Sequence, residues 1–285
     1  GSLVVGQAVA VGGAFGGLGL WSLVLGGVAT SAAGTLLVNV AARWRPGLAV
    51  APEAMRALLR FGLPYQSQGL LHLAIDNVIP ALGGLWLGSG QVGYLSWSKD
   101  IARWPRIPAD YVARVGFPAY ARLQGDAESL SRLIQEALAL VCAITFPVTA
   151  LGVAAAPLLV GPVFGAEWLP AVGPLVVFLL RTPFDALATV LLPVIYATGH
   201  AGRGLRISAA WAALIWALSL IGLTFFDGLL IIPIAFTITT AVMAGIIAAS
   251  LPEGIRIRWW PSVIRPLALS AMLGVAALIV VGGLR

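Results

Sequence analysis

The sequence predicts an all-α integral membrane protein, a polytopic helical bundle of about nine transmembrane helices. Three observations predict it. Of the 285 residues, 60% are hydrophobic and only 10% are charged, against about 45–50% and about 25% in soluble domains. Mean hydropathy is +0.97. The apolar residues gather into runs near the roughly 20 residues that a helix needs to cross a bilayer. Continuous runs also exclude a transmembrane β-barrel, whose strands alternate apolar and polar side chains. The 34 glycines fit the same class, because Gly is commoner in transmembrane helices than in soluble ones.

In chain order the runs are 3–20, 21–42, 61–84, 91–115, 135–156, 169–197, 204–225, 228–250 and 263–284. Turn chemistry separates them. Gly17-Leu18-Gly19 divides the first two, and Arg45-Pro46-Gly47 follows the second. Gly88-Ser89-Gly90 precedes the fourth, and Gly125-Asp126 precedes the fifth. Gly199, Asp227-Gly228 and Leu251-Pro252 divide the last four. Gly and Pro in such positions stop a helix or supply the backbone freedom of a turn. The single cysteine, Cys142, sits inside an apolar run, so neither a disulfide framework nor a zinc site is expected. The first residues lack a basic n-region, so no cleavable signal pattern is read there.

The arginines set the orientation. Formal net charge is +6. The connections 43–60, 116–134, 198–206 and 251–265 carry Arg43, Arg45, Arg56, Arg60, Arg122, Arg132, Arg203, Arg206, Arg256, Arg258 and Arg265. The alternate connections, near 20, 85–90, 157–168 and 226–228, carry no Lys or Arg. The positive-inside rule makes the first set cytoplasmic. The chain then starts inside and ends outside, and the basic balance needs no nucleic-acid partner. This parity also requires the charged run 91–115 to span. If it lay flat on the surface, Arg203, Arg206, Arg256, Arg258 and Arg265 would fall outside.

That span carries Lys99, Asp100, Arg103, Arg106, Asp110 and Arg114. A charge at the bilayer centre costs about 2.5–3.5 kcal/mol, so six facing lipid would cost on the order of 15–20 kcal/mol. At about 100° per residue, all six fall within about a third of the helix circumference. Such a stripe is expected to line protein interior or a water-filled cavity, with Pro105 and Pro108 bending the helix. Its four cations and two carboxylates leave +2, which suits an anionic group such as a phosphate. Arg suits it because the guanidinium is a permanently charged planar fork. The preceding span answers with Tyr65, Gln68, His72 and Asp76 on one face. Asp76 and Asp100 are equally spaced about Gly88, so Asp76 is expected to pair with Lys99 or Arg103. His72 and Asp76 could carry a coupling proton. Arg181 and Asp185 form a separate i,i+4 pair in the sixth span. The residues alone leave two readings of the stripe open, a phosphate-receiving cavity and a polar seam between packed helices.

Several stretches resemble the oligosaccharide flippases of the multidrug/oligosaccharidyl-lipid/polysaccharide (MOP) exporter superfamily. They are GLGLWSLVLG (17–26), RFGLP (60–64), IDN…LG…VGYLS (75–96), FPAYARLQGD (117–126), FGAEWLPAVGPL (164–175) and ATGHAGR (197–203). The resemblance implies a MOP/MATE-like two-lobe architecture of 12–14 helices around a central cavity. In that register this chain holds helices five to thirteen, an incomplete N-lobe plus a full C-lobe. Residues 1–45 are then the last two N-lobe helices and 46–60 a cytoplasmic inter-lobe linker. Residues 61–250 are the six-helix C-lobe, and 251–285 a basic cytoplasmic loop with an extra C-terminal helix. The chain is expected to be a fragment lacking the first four helices and not to transport alone. The family carries one basic residue near Lys99, and the charge density through Arg114 departs from that pattern.

The resemblance implies export of polyprenyl-diphosphate-linked oligosaccharide across the bacterial inner membrane by alternating access, not an enzyme activity. Lys99, Arg103, Arg106 and Arg114 are the expected diphosphate-binding residues. Asp76, His72, Asp100 and Asp110 are expected to balance charge or couple an ion. Arg181 and Asp185 are a secondary ion pair. Trp97, Trp104 and Tyr111 border the stripe and are candidates for stacking on sugar rings. No cofactor or metal is expected. The expected partners are the lipid-linked oligosaccharide, membrane lipids and polysaccharide polymerase machinery. Two alternatives carry weaker signals. A cation-coupled multidrug exporter favours an acidic cavity, which a net positive stripe is not. A membrane polymerase or ligase needs a sizeable outer loop, and every outer connection here is short.

Overall fold

The computed structural model describes residues 1–42 and 69–283, together with 52, 55, 56 and 67. Among the described residues the regular structure is entirely helical. This is what a bilayer imposes, because a helix pairs its backbone N–H and C=O groups within one segment. The chain divides into two compact units, Gly1–Leu59 and Arg60–Arg285.

The first unit is a hairpin of α1 (Ser2–Phe15) and α2 (Trp21–Ala41). Gly17 and Gly19 turn the chain with φ of +78° and +52°, a backbone region that L side chains avoid. The helices approach closely at Gly6, where an added Cβ would strike Thr30 Oγ1 and the Gly26 backbone oxygen.

The second unit contains α3 (Gly69–Trp86) and a broken helix made of α4 (Ser89–Ala102) and α5 (Ile107–Arg122). These are followed by α6 (Ala127–Phe164), α7 (Val172–Ala197), α8 (Ala201–Phe225), α9 (Ile231–Ala249) and α10 (Arg265–Gly283). Among the described residues, seven helical segments are long and apolar enough to cross a membrane. Two of the nine expected spans fall outside that set. One is α1, an apolar helix of 14 residues. The other is the charged run, which is not one helix over 91–115: a 3-10 turn at Trp104–Arg106 splits it. The fifth span is also longer than the apolar run 135–156. It is a helix of 38 residues whose first turns carry Glu128 and Arg132. Asp126 caps it, accepting from the Glu128 and Ser129 amides at 3.1 Å each. The last helix packs along α6, within the same unit as the helices before it.

The arginine-bearing connections of this unit meet at one end of the bundle. Arg203 Nη1 donates to the Ser250 carbonyl at 2.9 Å. The Arg256 amide donates to Ser131 Oγ at 3.0 Å, and Gln135 Nε2 donates to the Arg256 carbonyl at 3.1 Å. Ile255 and Ile257 tuck against the core beside them while Arg256 and Arg258 stay exposed.

The core is layered along the helix axes. At the arginine-rich end one apolar cluster joins Tyr120, Leu130, Ile134, Val190, Ile195, Met243 and Ile247. Towards the opposite end a second joins Ile79, Leu95, Val160, Phe178, Ile215, Ile232 and Phe236. On α7, Arg181, Thr182 and Asp185 fall between Phe178 of one cluster and Val190 of the other. On the broken helix, Arg103 and Arg106 fall between Ala102 and Ala109 in the same way. Polar residues thus occupy a middle layer between two apolar ones.

Candidate functional site

The break in the charged helix builds the site. Pro105 has no N–H to donate, and the Arg106 amide turns back to the Arg103 carbonyl at 3.0 Å. The Ala102 carbonyl therefore loses its partner in the helix. Thr182 Oγ1 of α7 supplies one, donating to it at 3.1 Å. Within a bilayer a freed carbonyl must be paired by a neighbouring helix. The pairing holds α7 against the kink, and the kink turns Arg106 towards α7.

Arg106 then bridges two helices. Its Nη2 lies 3.5 Å from Asp110 Oδ2 one turn on, and its Nη1 lies 3.3 Å from Asp185 Oδ2 of α7. Asp185 also takes Arg181, Nη2 to Oδ1 at 3.3 Å. Arg181 is held further by Nε donation to Thr240 Oγ1 at 3.0 Å and by the face of Phe236, 5.2 Å from its Cζ. The pair expected to stand apart is thus joined to the stripe. Asp185 is the link, an acceptor shared by two guanidinium groups with its side chain only 16% exposed.

On the other side of the stripe, Lys99 Nζ lies 3.2 Å from Asp76 Oδ1 of α3, so of the two partners expected for Asp76, Lys99 and Arg103, it is Lys99 that pairs with it. Gly88 makes that turn with φ +89°. His72 lies one turn before Asp76 on α3. Tyr65 and Gln68 of the expected α3 face lie outside the described residues.

These residues surround a cavity of about 630 Å³, which is lined by His72, Asp76, Lys99, Asp100, Arg103, Arg106, Asp110, Arg181 and Asp185. Thr189, Tyr196 and Trp211 line it as well and were not foreseen. A signal for the first two existed, since Thr189 and Tyr196 continue the α7 stripe of Arg181 and Asp185 at +4 and +7. Arg114 is not on this cavity. It lines a shallower hollow of about 410 Å³ on the neighbouring face, with Asp100, Arg103, Trp104, Asp110 and Tyr111. Trp97 lines neither hollow and is half-buried. It packs against Phe164 and Trp168, with ring centroids 4.8 and 5.0 Å away.

The charge count changes accordingly. Adding Asp76, Arg181 and Asp185 to the stripe gives five cations and four carboxylates, so +1 replaces the expected +2. Among the described residues, Asp76, Asp110 and Asp185 are each paired with a cation. The side chains of Arg103 and Asp100 have no ion-pair or hydrogen-bond partner there, and both residues are exposed. Arg114, also without an ion pair among the described residues, lies with its Cζ 5.9 Å from the centroid of the Tyr111 ring. Three such charges facing lipid would cost about 8–10 kcal/mol. Their face must meet water or a polar ligand. Among the described residues no group of three or more His, Cys, Asp or Glu is placed to hold a metal ion.

The profile of the polysaccharide biosynthesis protein family matches residues 1–173, more than half of the chain. The chain belongs to the polysaccharide biosynthesis protein family. A curated relative is the lipopolysaccharide biosynthesis protein WzxC of Escherichia coli (strain K12), 29% identical over 176 residues. That alignment covers 59% of this chain and 36% of WzxC. Among solved structures, the lipid II flippase MurJ in an inward closed conformation superposes with a TM-score of 0.68 at 12% identity. The superposition takes in 99% of this chain and 66% of MurJ. This family member therefore has the fold of a multi-pass helical membrane protein of the MurJ type. The family match runs through α1 to α6 and includes the whole charged stripe; Arg181 and Asp185 lie beyond it.

Proposed function

We propose that this protein moves polyprenyl-diphosphate-linked oligosaccharide repeat units across the bacterial inner membrane for surface polysaccharide synthesis. It acts as a transporter and not as an enzyme. Residues 1–45 serve as the end of one lobe, 46–60 as the link, and 61–250 as the second lobe, with 251–285 appended. The lobes rock to open the cavity to either side in turn. The lipid tail stays in the bilayer while the diphosphate and sugars pass along the charged layer. The exported unit is then handed to a polymerase.

The observation that carries this reading is Arg103. It is an arginine between two apolar layers, exposed, lining both hollows, and without a counter-ion among the described residues. A diphosphate supplies the missing partner as a bidentate, charge-assisted acceptor. Lys99 and Arg106 stand one turn to either side and add charge while remaining tied to Asp76, Asp110 and Asp185. Those carboxylates neutralise the cavity when no diphosphate is present. The pairing of three of the four carboxylates with cations also weighs against an organic-cation drug exporter, which needs acid groups free to receive the drug. The test is Arg103→Gln in the protein expressed from its native gene. Surface polysaccharide is expected to fall about tenfold or more, with lipid-linked precursor accumulating in the inner leaflet. Normal polysaccharide at normal protein levels would refute the reading.

A further inference from the structure

The broken helix has two unlike sides. Leu95, Ser98, Ala102, Pro105, Ala109, Gly116 and Tyr120 are buried against the rest of the unit. The opposite side is exposed and doubly patterned. One row is aromatic: Trp104 and Tyr111 are 66% and 64% exposed, and neither ring packs on another ring. Beside it runs a row of charge, Asp100, Arg103, Asp110 and Arg114. The two rows meet in the hollow of about 410 Å³. A purely apolar ligand does not suit a wall with four charges. A purely ionic ligand leaves the two large exposed rings that line the hollow, Trp104 and Tyr111, without a part in binding.

We infer that this hollow is a sugar subsite, which takes the hexose next to the diphosphate. A pyranose has an apolar C–H face and an edge of hydroxyl groups. Its C–H face fits on the Trp104 and Tyr111 rings. Its hydroxyls donate to the Asp100 and Asp110 carboxylates and accept from Arg103 and Arg114. The arrangement matches the general form of a small-molecule site, an apolar wall with a few placed polar groups. Arg114 lies beside this platform, its Cζ 5.9 Å from the Tyr111 centroid. Arg103 lines both hollows, so it joins the sugar subsite to the phosphate-receiving cavity. This inference rests on the proposed function and adds the recognition of the glycan to it.

The test uses two probes on the purified protein in nanodiscs: undecaprenyl diphosphate, and the same lipid with one glucose on the outer phosphate. Wild type is expected to bind the glucosyl lipid more tightly. Trp104→Ala/Tyr111→Ala is expected to weaken the glucosyl lipid about tenfold while leaving the bare lipid within about twofold. Trp104→Phe/Tyr111→Phe keeps the stacking faces and is expected to restore most of the loss. A double alanine variant that keeps the wild-type preference for glucose would overturn the sugar subsite. Equal loss of both lipids, unrestored by phenylalanine, would overturn it as well and make the rings structural. If wild type binds neither lipid, the proposed function itself fails and the subsite fails with it.

Discussion

Arg103 and Arg106 are three residues apart and have opposite circumstances. Arg106 is held by two carboxylates, and its Nε is buried without a partner. Arg103 is exposed and paired with nothing among the described residues. The first is suited to holding structure and the second to receiving a ligand. Asp185 separates these roles experimentally. Asp185→Asn leaves Arg106 with Asp110 alone and Arg181 without its carboxylate. Removing one partner of a largely buried ion pair is expected to cost about 2–4 kcal/mol, read as a lower thermal midpoint in detergent. Arg103→Gln should leave that midpoint unchanged, because no ion pair or side-chain hydrogen bond among the described residues is lost. An unchanged midpoint for Asp185→Asn would mean that the bridge carries no stability. Of these contacts, the pairing of Asp76 with Lys99 or Arg103 was legible in the sequence, because they sit at similar distances from one glycine turn. The Arg181–Asp185 pair was legible too, from its i,i+4 spacing. That Asp185 also reaches Arg106 was not. Helical periodicity gives the face of each helix but not which helices become neighbours in a bundle.

The kink illustrates the same limit at the scale of an element. Pro105 and Pro108 announce a bend, but they do not say how the bend is stabilised. Thr182, 80 residues from Ala102 in sequence, takes up the carbonyl that the bend releases. Thr182→Val keeps the shape and removes the donor. It is expected to cost about 1–2 kcal/mol, as an unpaired buried carbonyl does. Thr182→Ser should recover most of the difference in the same unfolding measurement. At the start of α6, hydrogen bonds from Ser129 hold the Asp126 carboxyl below its ordinary range, with a further amide from Glu128 and the Arg132 charge adding to the effect. A depressed carboxylate stabilises its helix above its unfolded value and loses that contribution as pH falls through the folded one. Amide-exchange protection at Glu128 and Ser129 should therefore decline on acidification below the ordinary carboxylate range. Asp126→Asn, which caps without ionising, should remove the pH dependence. Protection in the wild type that does not change with pH would contradict the cap. The full length of α6 was not readable from hydropathy, because its first turns are charged and its helicity there comes from this cap and from packing on the 251–258 loop.

For the molecule as a whole, the positive-inside rule leads us to propose that the arginine-bearing end of the second unit faces the cytoplasm. The same connections lie together at one end of the bundle, through Arg203 to Ser250 and Arg256 to Ser131. With Cys142 buried and silent, single cysteines report sides directly. Glu253→Cys is expected to label from the cytoplasmic side and Asp227→Cys from outside, and the reverse pattern would invert the orientation. The chain spans about a third of the length of WzxC and two thirds of the length of MurJ, so transport is a property to test in the protein as its host makes it. Arg103, left without a counter-ion among the described residues, is proposed to receive the diphosphate of a lipid-linked oligosaccharide during its passage. Transbilayer movement of such a lipid in proteoliposomes tests it most directly. The wild-type protein as its host makes it should move the lipid, and Arg103→Gln in that protein should fall to the rate of protein-free vesicles while inserting normally. Movement by Arg103→Gln at the wild-type rate would contradict the account.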